Sequence, residues 1–108
     1  MAFLKSLWQR VNPNRPRQSV ELNPVEQLEL RYLLQFGPRS ADDIRAEVGG
    51  VRTIIDTELE DGLAHLVDAG LVETQAGTST DLYTATRKSA ILRNRIPLEP
   101  RGVTEFYL

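Results

Sequence analysis

Few side chains in this sequence of 108 residues have the types and spacing that catalysis requires. His65 is the only histidine, and no serine stands at a recognisable spacing from it to act as a nucleophile with His65 as its base. The absence of cysteine excludes disulfides, thiolate metal sites and a cysteine nucleophile. The carboxylates follow helical spacing without a metal-ligand pattern, and the glycines form no phosphate-binding loop. We therefore predict a protein that is not an enzyme and that requires no metal or cofactor.

Charge is distributed unevenly along the chain, although the net charge is only −2. Residues 1–20 carry four basic side chains and no acid, and residues 21–83 carry four arginines against thirteen acids. Residues 84–108 carry five basic side chains against two acids. An acidic middle segment thus lies between two basic ends, and this asymmetry bears on the choice of partners.

The composition is that of an ordinary globular domain, with 41% hydrophobic and 26% charged residues. No apolar run is long enough to span a bilayer, and the N-terminus lacks the apolar core of a signal peptide. We expect a cytoplasmic protein.

The two ends of the chain differ from its middle. Residues 1–11 predict an amphipathic helix that is too short to be stable alone, with one apolar stripe formed by Phe3, Leu4, Leu7, Trp8 and Val11. Residues 12–22 predict a basic, proline-containing linker, and residues 96–108 predict an extended tail with an apolar end.

Residues 23–95 predict the folded domain. A first helix begins at Asn23-Pro24, where asparagine caps the helix and proline takes its first position, and it ends at Gly37-Pro38. Ser40 and Asp43 predict a capping box for a second helix, which ends at Gly49-Gly50.

The second half of the domain predicts a helix followed by a hairpin. Residues 51–54 predict a brief strand, and a third helix starts with Thr53 or Asp56 as its N-cap and ends at Gly70. Residues 71–74 and 81–85 predict a β-hairpin, and residues 87–95 predict a final helix.

Three stretches resemble the winged helix-turn-helix superfamily. Residues 40–49 are similar to its second helix, residues 62–73 to its third helix running into the wing, and residues 82–86 to the second wing strand. The resemblance implies an α+β fold, with a three-helix bundle and an antiparallel wing of two or three strands. It also implies DNA binding as a starting expectation.

The third helix argues against the usual mode of DNA reading, in which basic or amide side chains enter the major groove. It contains five acids and no arginine or lysine, and the wing tip at residues 75–81 contains no basic residue. Its predicted exposed face consists of Thr57, Glu58, Asp61, His65 and Asp68. We therefore expect a regulatory or adaptor protein that acts mainly through protein contacts, with this acidic face as one docking surface.

The alternative is a dimeric DNA-binding transcriptional regulator, in which basic residues of the two ends contact phosphates. The candidates are Arg15, Arg17, Arg87, Lys88, Arg93 and Arg95. If they converge, affinity for DNA will depend steeply on salt.

The apolar ends are the predicted partner or dimer interface. It comprises the N-terminal stripe together with Phe106, Tyr107 and Leu108. Three surfaces are candidates to bury the stripe: its own domain or a dimer mate, the groove of another protein, or a membrane interface. The membrane is the weakest of these, because one short helix with two cations binds lipid poorly.

Overall fold

The domain contains three helices and two small antiparallel sheets. The computed structural model describes residues 19–108. In chain order the elements are β1 (Ser19–Leu22), α1 (Pro24–Phe36), β2 (Arg39–Ser40), α2 (Ala41–Val51), α3 (Asp56–Asp68), β3 (Val72–Gln75), β4 (Leu82–Ala85), the 3-10 helix η1 (Lys88–Leu92) and β5 (Thr104–Tyr107). The α+β class is confirmed. The predicted N-terminal helix, residues 1–11, and residues 12–18 of the predicted linker lie outside the described residues.

Helix α1 has the predicted boundaries because both ends are fixed locally. Asn23 Oδ1 accepts the Glu26 N–H at 2.8 Å, and Glu26 Oε1 accepts the Asn23 N–H at 2.8 Å. This reciprocal pair satisfies two N–H groups at the start of the helix. At the other end, Gly37 has φ 81°, and its N–H donates to Leu33 O. Both faces of α1 are largely buried, so it lies at the centre of the domain.

Helices α2 and α3 differ from the sequence predictions at their junction. Ser40 Oγ accepts the Asp43 N–H at 3.2 Å, which is one of the two hydrogen bonds of the predicted capping box. The helix continues through both glycines to Val51, so residues 51–54 do not form a strand. The N-cap of α3 is Ile55, whose side chain makes no capping hydrogen bond. The prediction of a Thr53 or Asp56 cap was therefore wrong.

The wing is a three-stranded antiparallel sheet in the order β2-β4-β3. Helix α3 ends in a pair of hydrogen bonds, Gly70 N–H to Val67 O and Leu71 N–H to Leu66 O, each 3.0 Å long. This arrangement places Gly70 at φ 76°, a backbone conformation that glycine adopts without steric cost. The chain then enters β3 directly, which pairs with β4 from Val72↔Ala85 to Gln75↔Leu82.

A second sheet joins the two ends of the described chain. Strand β1 pairs antiparallel with β5, from Ser19↔Tyr107 to Leu22↔Thr104. Residues 19–22 were assigned to the linker and residues 96–108 to an extended tail, whereas the structure makes both part of the domain. The predicted final helix at residues 87–95 is shorter, a 3-10 helix followed by turns.

One hydrophobic core lies between the helices and the two sheets. Its most buried apolar side chains include Leu22 from β1, Leu30 and Leu33 from α1, and Leu66 from α3. Phe106 from β5 belongs to the same core. Within residues 19–108, no helix is both long and apolar enough to cross a bilayer.

Candidate functional site

The exposed face of α3 is the first candidate surface. Thr57, Asp61, His65 and Asp68 are exposed and recur at helical spacing, and Glu58 is exposed beside them. Across the start of α3, Arg45 Nε lies 3.0 Å from Asp56 Oδ1, although its N–H is not aimed at that oxygen. No other arginine or lysine is paired with an α3 side chain in residues 19–108. This surface is strongly negative.

His65 differs from the rest of that face because it connects α3 to α1. Its Nδ1 contacts Glu26 Oε2, while the other oxygen of Glu26 closes the capping box of α1. The Glu26 side chain is nearly buried, and the His65 side chain is 45% exposed. His65 therefore contributes to helix packing as well as to the surface.

Beneath this contact lies a buried carboxyl group that sequence reasoning missed. Glu29 on α1 is fully buried, and neither of its oxygens has a hydrogen-bond partner within residues 19–108. Burial, with a smaller contribution from the charge of Glu26, raises the pKa of Glu29 from 4.5 to about 9. Glu29 is therefore protonated and neutral at pH 7. A signal existed in the sequence, since Glu29 lies four residues from both Val25 and Leu33 on one helical stripe.

The basic residues predicted to contact nucleic acid lie in the segment after β4. Arg87 is exposed, and Lys88 Nζ lies 3.4 Å from Ala69 O at the C-terminal end of α3. Arg95 donates to Tyr107 O on β5 at 3.1 Å, and Arg93 borders a shallow cavity beside Arg31 on α1. The four cations thus share one segment, but Lys88, Arg93 and Arg95 adjoin three different elements. Arg15 and Arg17 lie outside the described residues.

The residues of the predicted apolar interface have different environments in the structure. Phe106 is buried opposite Val20 on β1, so it belongs to the core and is not available to a partner. Leu108 packs partly against the same core, whereas Tyr107 is exposed. The N-terminal stripe from Phe3 to Val11 lies outside the described residues.

Nothing in the described part of the chain resembles a metal centre. Residues 19–108 contain no group of three or more His, Asp or Glu side chains placed to hold a metal ion. Three surfaces remain as candidate interfaces: the acidic face of α3, Arg87 and Lys88 beside the end of that helix, and a groove along α1 that Phe36 and Val51 help to line.

Comparison with known proteins was made at the level of sequence and of structure. No protein-family model and no curated protein sequence matches the chain. The transcriptional repressor BigR from Xylella fastidiosa matches at 27% identity with a TM-score of 0.56, over 67% of this chain and 69% of BigR. A mutant of ZitR from Lactococcus lactis matches at 16% identity with a TM-score of 0.61, over 87% of this chain and 67% of ZitR.

A third match is BpsR from Bordetella bronchiseptica, whose DNA binding is regulated by 6-hydroxynicotinic acid. It has 15% identity and a TM-score of 0.60, over 87% of this chain and 68% of BpsR. The likenesses to ZitR and BpsR concern the fold alone. Together with the observed helices and wing, the matches define this chain as a winged-helix protein. The resemblance drawn from the sequence is thereby confirmed at the level of the superfamily. BigR is a regulator, which supports the prediction that this chain is not an enzyme.

Proposed function

We propose that this protein is a winged-helix transcriptional regulator that binds duplex DNA as a homodimer. The observation that carries the proposal is the likeness to the repressor BigR, at 27% identity over 67% of the chain. The sequence alone favours an adaptor that acts through protein contacts, with the DNA-binding regulator as the alternative; here we favour the regulator. The likeness supports DNA binding without identifying which residues make the contacts.

The charge of α3 determines how such binding would work. Its exposed acids, among them Glu58, Asp61 and Asp68, would repel phosphates and offer nothing to pair with guanine. We place the phosphate contacts on Arg87 and Lys88, which are exposed next to the C-terminal end of α3. The other candidate cations, including Arg15 and Arg17, would extend this positive surface.

The test measures affinity for a fluorescently labelled random-sequence duplex over a series of salt concentrations. In this proposal the wild type binds at low salt, and replacing both Arg87 and Lys88 with Ala lowers the salt slope by about 3.6, since the dimer loses four phosphate contacts and each removes about 0.9. Arg101→Ala is the control, because Arg101 is exposed in a different part of the domain beside Glu99. Absence of duplex binding even at low salt overturns the proposal.

The acidic face of α3 favours a second candidate, an adaptor that docks a basic protein segment. Here the matched variants are Glu58→Gln and Asp61→Asn, which remove charge and keep shape. In an adaptor they abolish binding of a labelled oligo-lysine peptide. In the DNA-binding protein they leave duplex binding unchanged or strengthen it, because a repulsive charge is lost.

A further inference from the structure

A groove runs along α1, between the end of α2 and the loop before β5. It consists of two adjoining depressions, of about 400 Å³ and about 220 Å³, which share Leu28 and Val51. The lining alternates apolar and polar side chains; the apolar ones are Leu28, Tyr32, Phe36, Val48, Val51 and Pro100. Phe36 is 46% exposed and Val51 is 58% exposed. These two side chains are therefore the exposed apolar surface that an occupant of the groove would cover.

We propose that residues 1–11 of the same chain occupy this groove. The segment carries five large apolar side chains at helical spacing, including Trp8, and a stripe of this kind needs a cover. A helix of eleven residues is about 16 Å long, and the nine residues from Leu28 to Phe36 span about 13 Å of α1. The lengths therefore match.

The linker is long enough for this docking. Residues 12–18 contain two prolines, and the eight steps from Val11 to Ser19 reach about 25 Å when extended. Ser19 precedes Leu28 by nine residues that pass through β1 and the first turns of α1, which limits their separation to roughly 25 Å. The groove thus lies within reach of the segment.

Tethering favours this occupant over a separate molecule. A short linker holds the segment at an effective concentration in the millimolar range, so a moderate contact is enough to keep it docked. The rim of the groove carries both signs of charge, with Glu47 and Glu99 among arginines. We therefore assign the attraction to apolar contact.

The chain provides its own reporter, because Trp8 is its only tryptophan. The experiment measures acrylamide quenching of Trp8 in the full chain, with a synthetic peptide of residues 1–18 as the fully exposed reference. In the proposal quenching is at least about twofold weaker in the full chain, since docking shields the indole. Phe36→Ser and Val51→Ser each restore quenching toward the value of the peptide. Ile91→Ser is the matched control, an exposed apolar residue on η1 outside the groove.

Three outcomes overturn the proposal: full quenching in the wild type, shielding that survives both groove variants, or shielding that depends on protein concentration. The last of these assigns the groove to a second copy of the chain. Far-UV circular dichroism verifies that each variant is folded.

A second measurement does not depend on groove substitutions. Since the chain has no cysteine, Arg52→Cys at the rim of the groove takes a single nitroxide label. Docking broadens the amide signals of residues 3–11 more strongly than does a label on Ile91→Cys, which lies on η1 and does not line the groove. Equal spectra from the two labelled proteins contradict the proposal.

Discussion

Glu29 on α1 and Gly62 on α3 face each other where the two helices touch. A Cβ atom built on Gly62 would overlap Glu29 Oε1 and lie 3.2 Å from Glu29 Cδ. The glycine therefore makes room for a carboxyl group that is fully buried and neutral at pH 7. Glu26 and His65 close the same contact from the solvent side.

Gly62→Ala is expected to destabilise the domain despite the better helix propensity of alanine. The propensity gain is about 1 kcal/mol, whereas forcing a methyl group into this packed contact costs about 1–3 kcal/mol. Urea unfolding followed by circular dichroism measures the difference. Gly49→Ala is the matched control, because a Cβ there meets no atom within 4 Å in a helix of the same domain. Gly49→Ala should stabilise the domain by about 0.5–1 kcal/mol. The two Gly→Ala substitutions are therefore predicted to change the free energy of unfolding in opposite directions.

Stability is predicted to fall as pH rises, because of Glu29. Its pKa is about 9 in the folded chain and 4.5 as an ordinary side chain. Between these values the folded state holds a proton that the unfolded state has released. Stability from this group is thus complete below pH 4.5 and is lost as pH rises toward 9, by at most about 1.4 kcal/mol per pH unit.

Glu29→Gln keeps the shape of the side chain and removes its titration. The variant should be more stable than the wild type at pH 8, and its unfolding free energy should no longer slope over this range. Denaturant midpoints at several pH values measure this. Glu58→Gln on the exposed face of α3 serves as the control and should retain the slope of the wild type. A wild type without any slope would show that Glu29 does not titrate as inferred.

Local signals explain why most of the helices could be predicted. The capping pair Asn23–Glu26 and the Gly37 end of α1 depend on residues within one turn, so the sequence pattern contains them. The wing hairpin likewise joins neighbouring segments. The sheet formed by β1 and β5 could not be predicted in this way. It pairs residues more than eighty positions apart, and each strand has only four residues.

The candidate site shows a similar limit. The exposed acids of α3 follow from helical spacing, and the structure places them on the surface as expected. Glu29 was missed because charged residues are rarely buried, and an apolar stripe interrupted by an acid does not indicate that the acid is protonated. Whether the four cations after β4 converge depends on turns that sequence does not specify.

Thr86 is predicted to hold the wing on α3. Its Oγ1 donates to Gly70 O at 2.7 Å, and its N–H donates to Leu71 O at 3.0 Å. Thr86→Val keeps the size and loses the hydroxyl, which should cost about 1 kcal/mol of stability. Thr86→Ser retains the hydroxyl and should cost less. Amide hydrogen exchange should show faster opening of β3 and β4 in the valine variant alone. Equal exchange in the two variants would mean that the hydroxyl hydrogen bond does not stabilise the wing against opening.

Phe106 and Tyr107 provide the test of whether β5 is part of the domain. Phe106 is 5% exposed and packs in the core, whereas Tyr107 is 52% exposed on the other face of the strand. Phe106→Ala should therefore cost about 3–5 kcal/mol, a large part of the 5–15 kcal/mol that stabilises a typical domain. Tyr107→Ala should cost far less, because it leaves the backbone carbonyl that accepts from Arg95 in place. Denaturant unfolding of both variants measures the contrast. Similar small losses would mean that residues 104–107 behave as the extended tail expected from the sequence, and that the core closes without them.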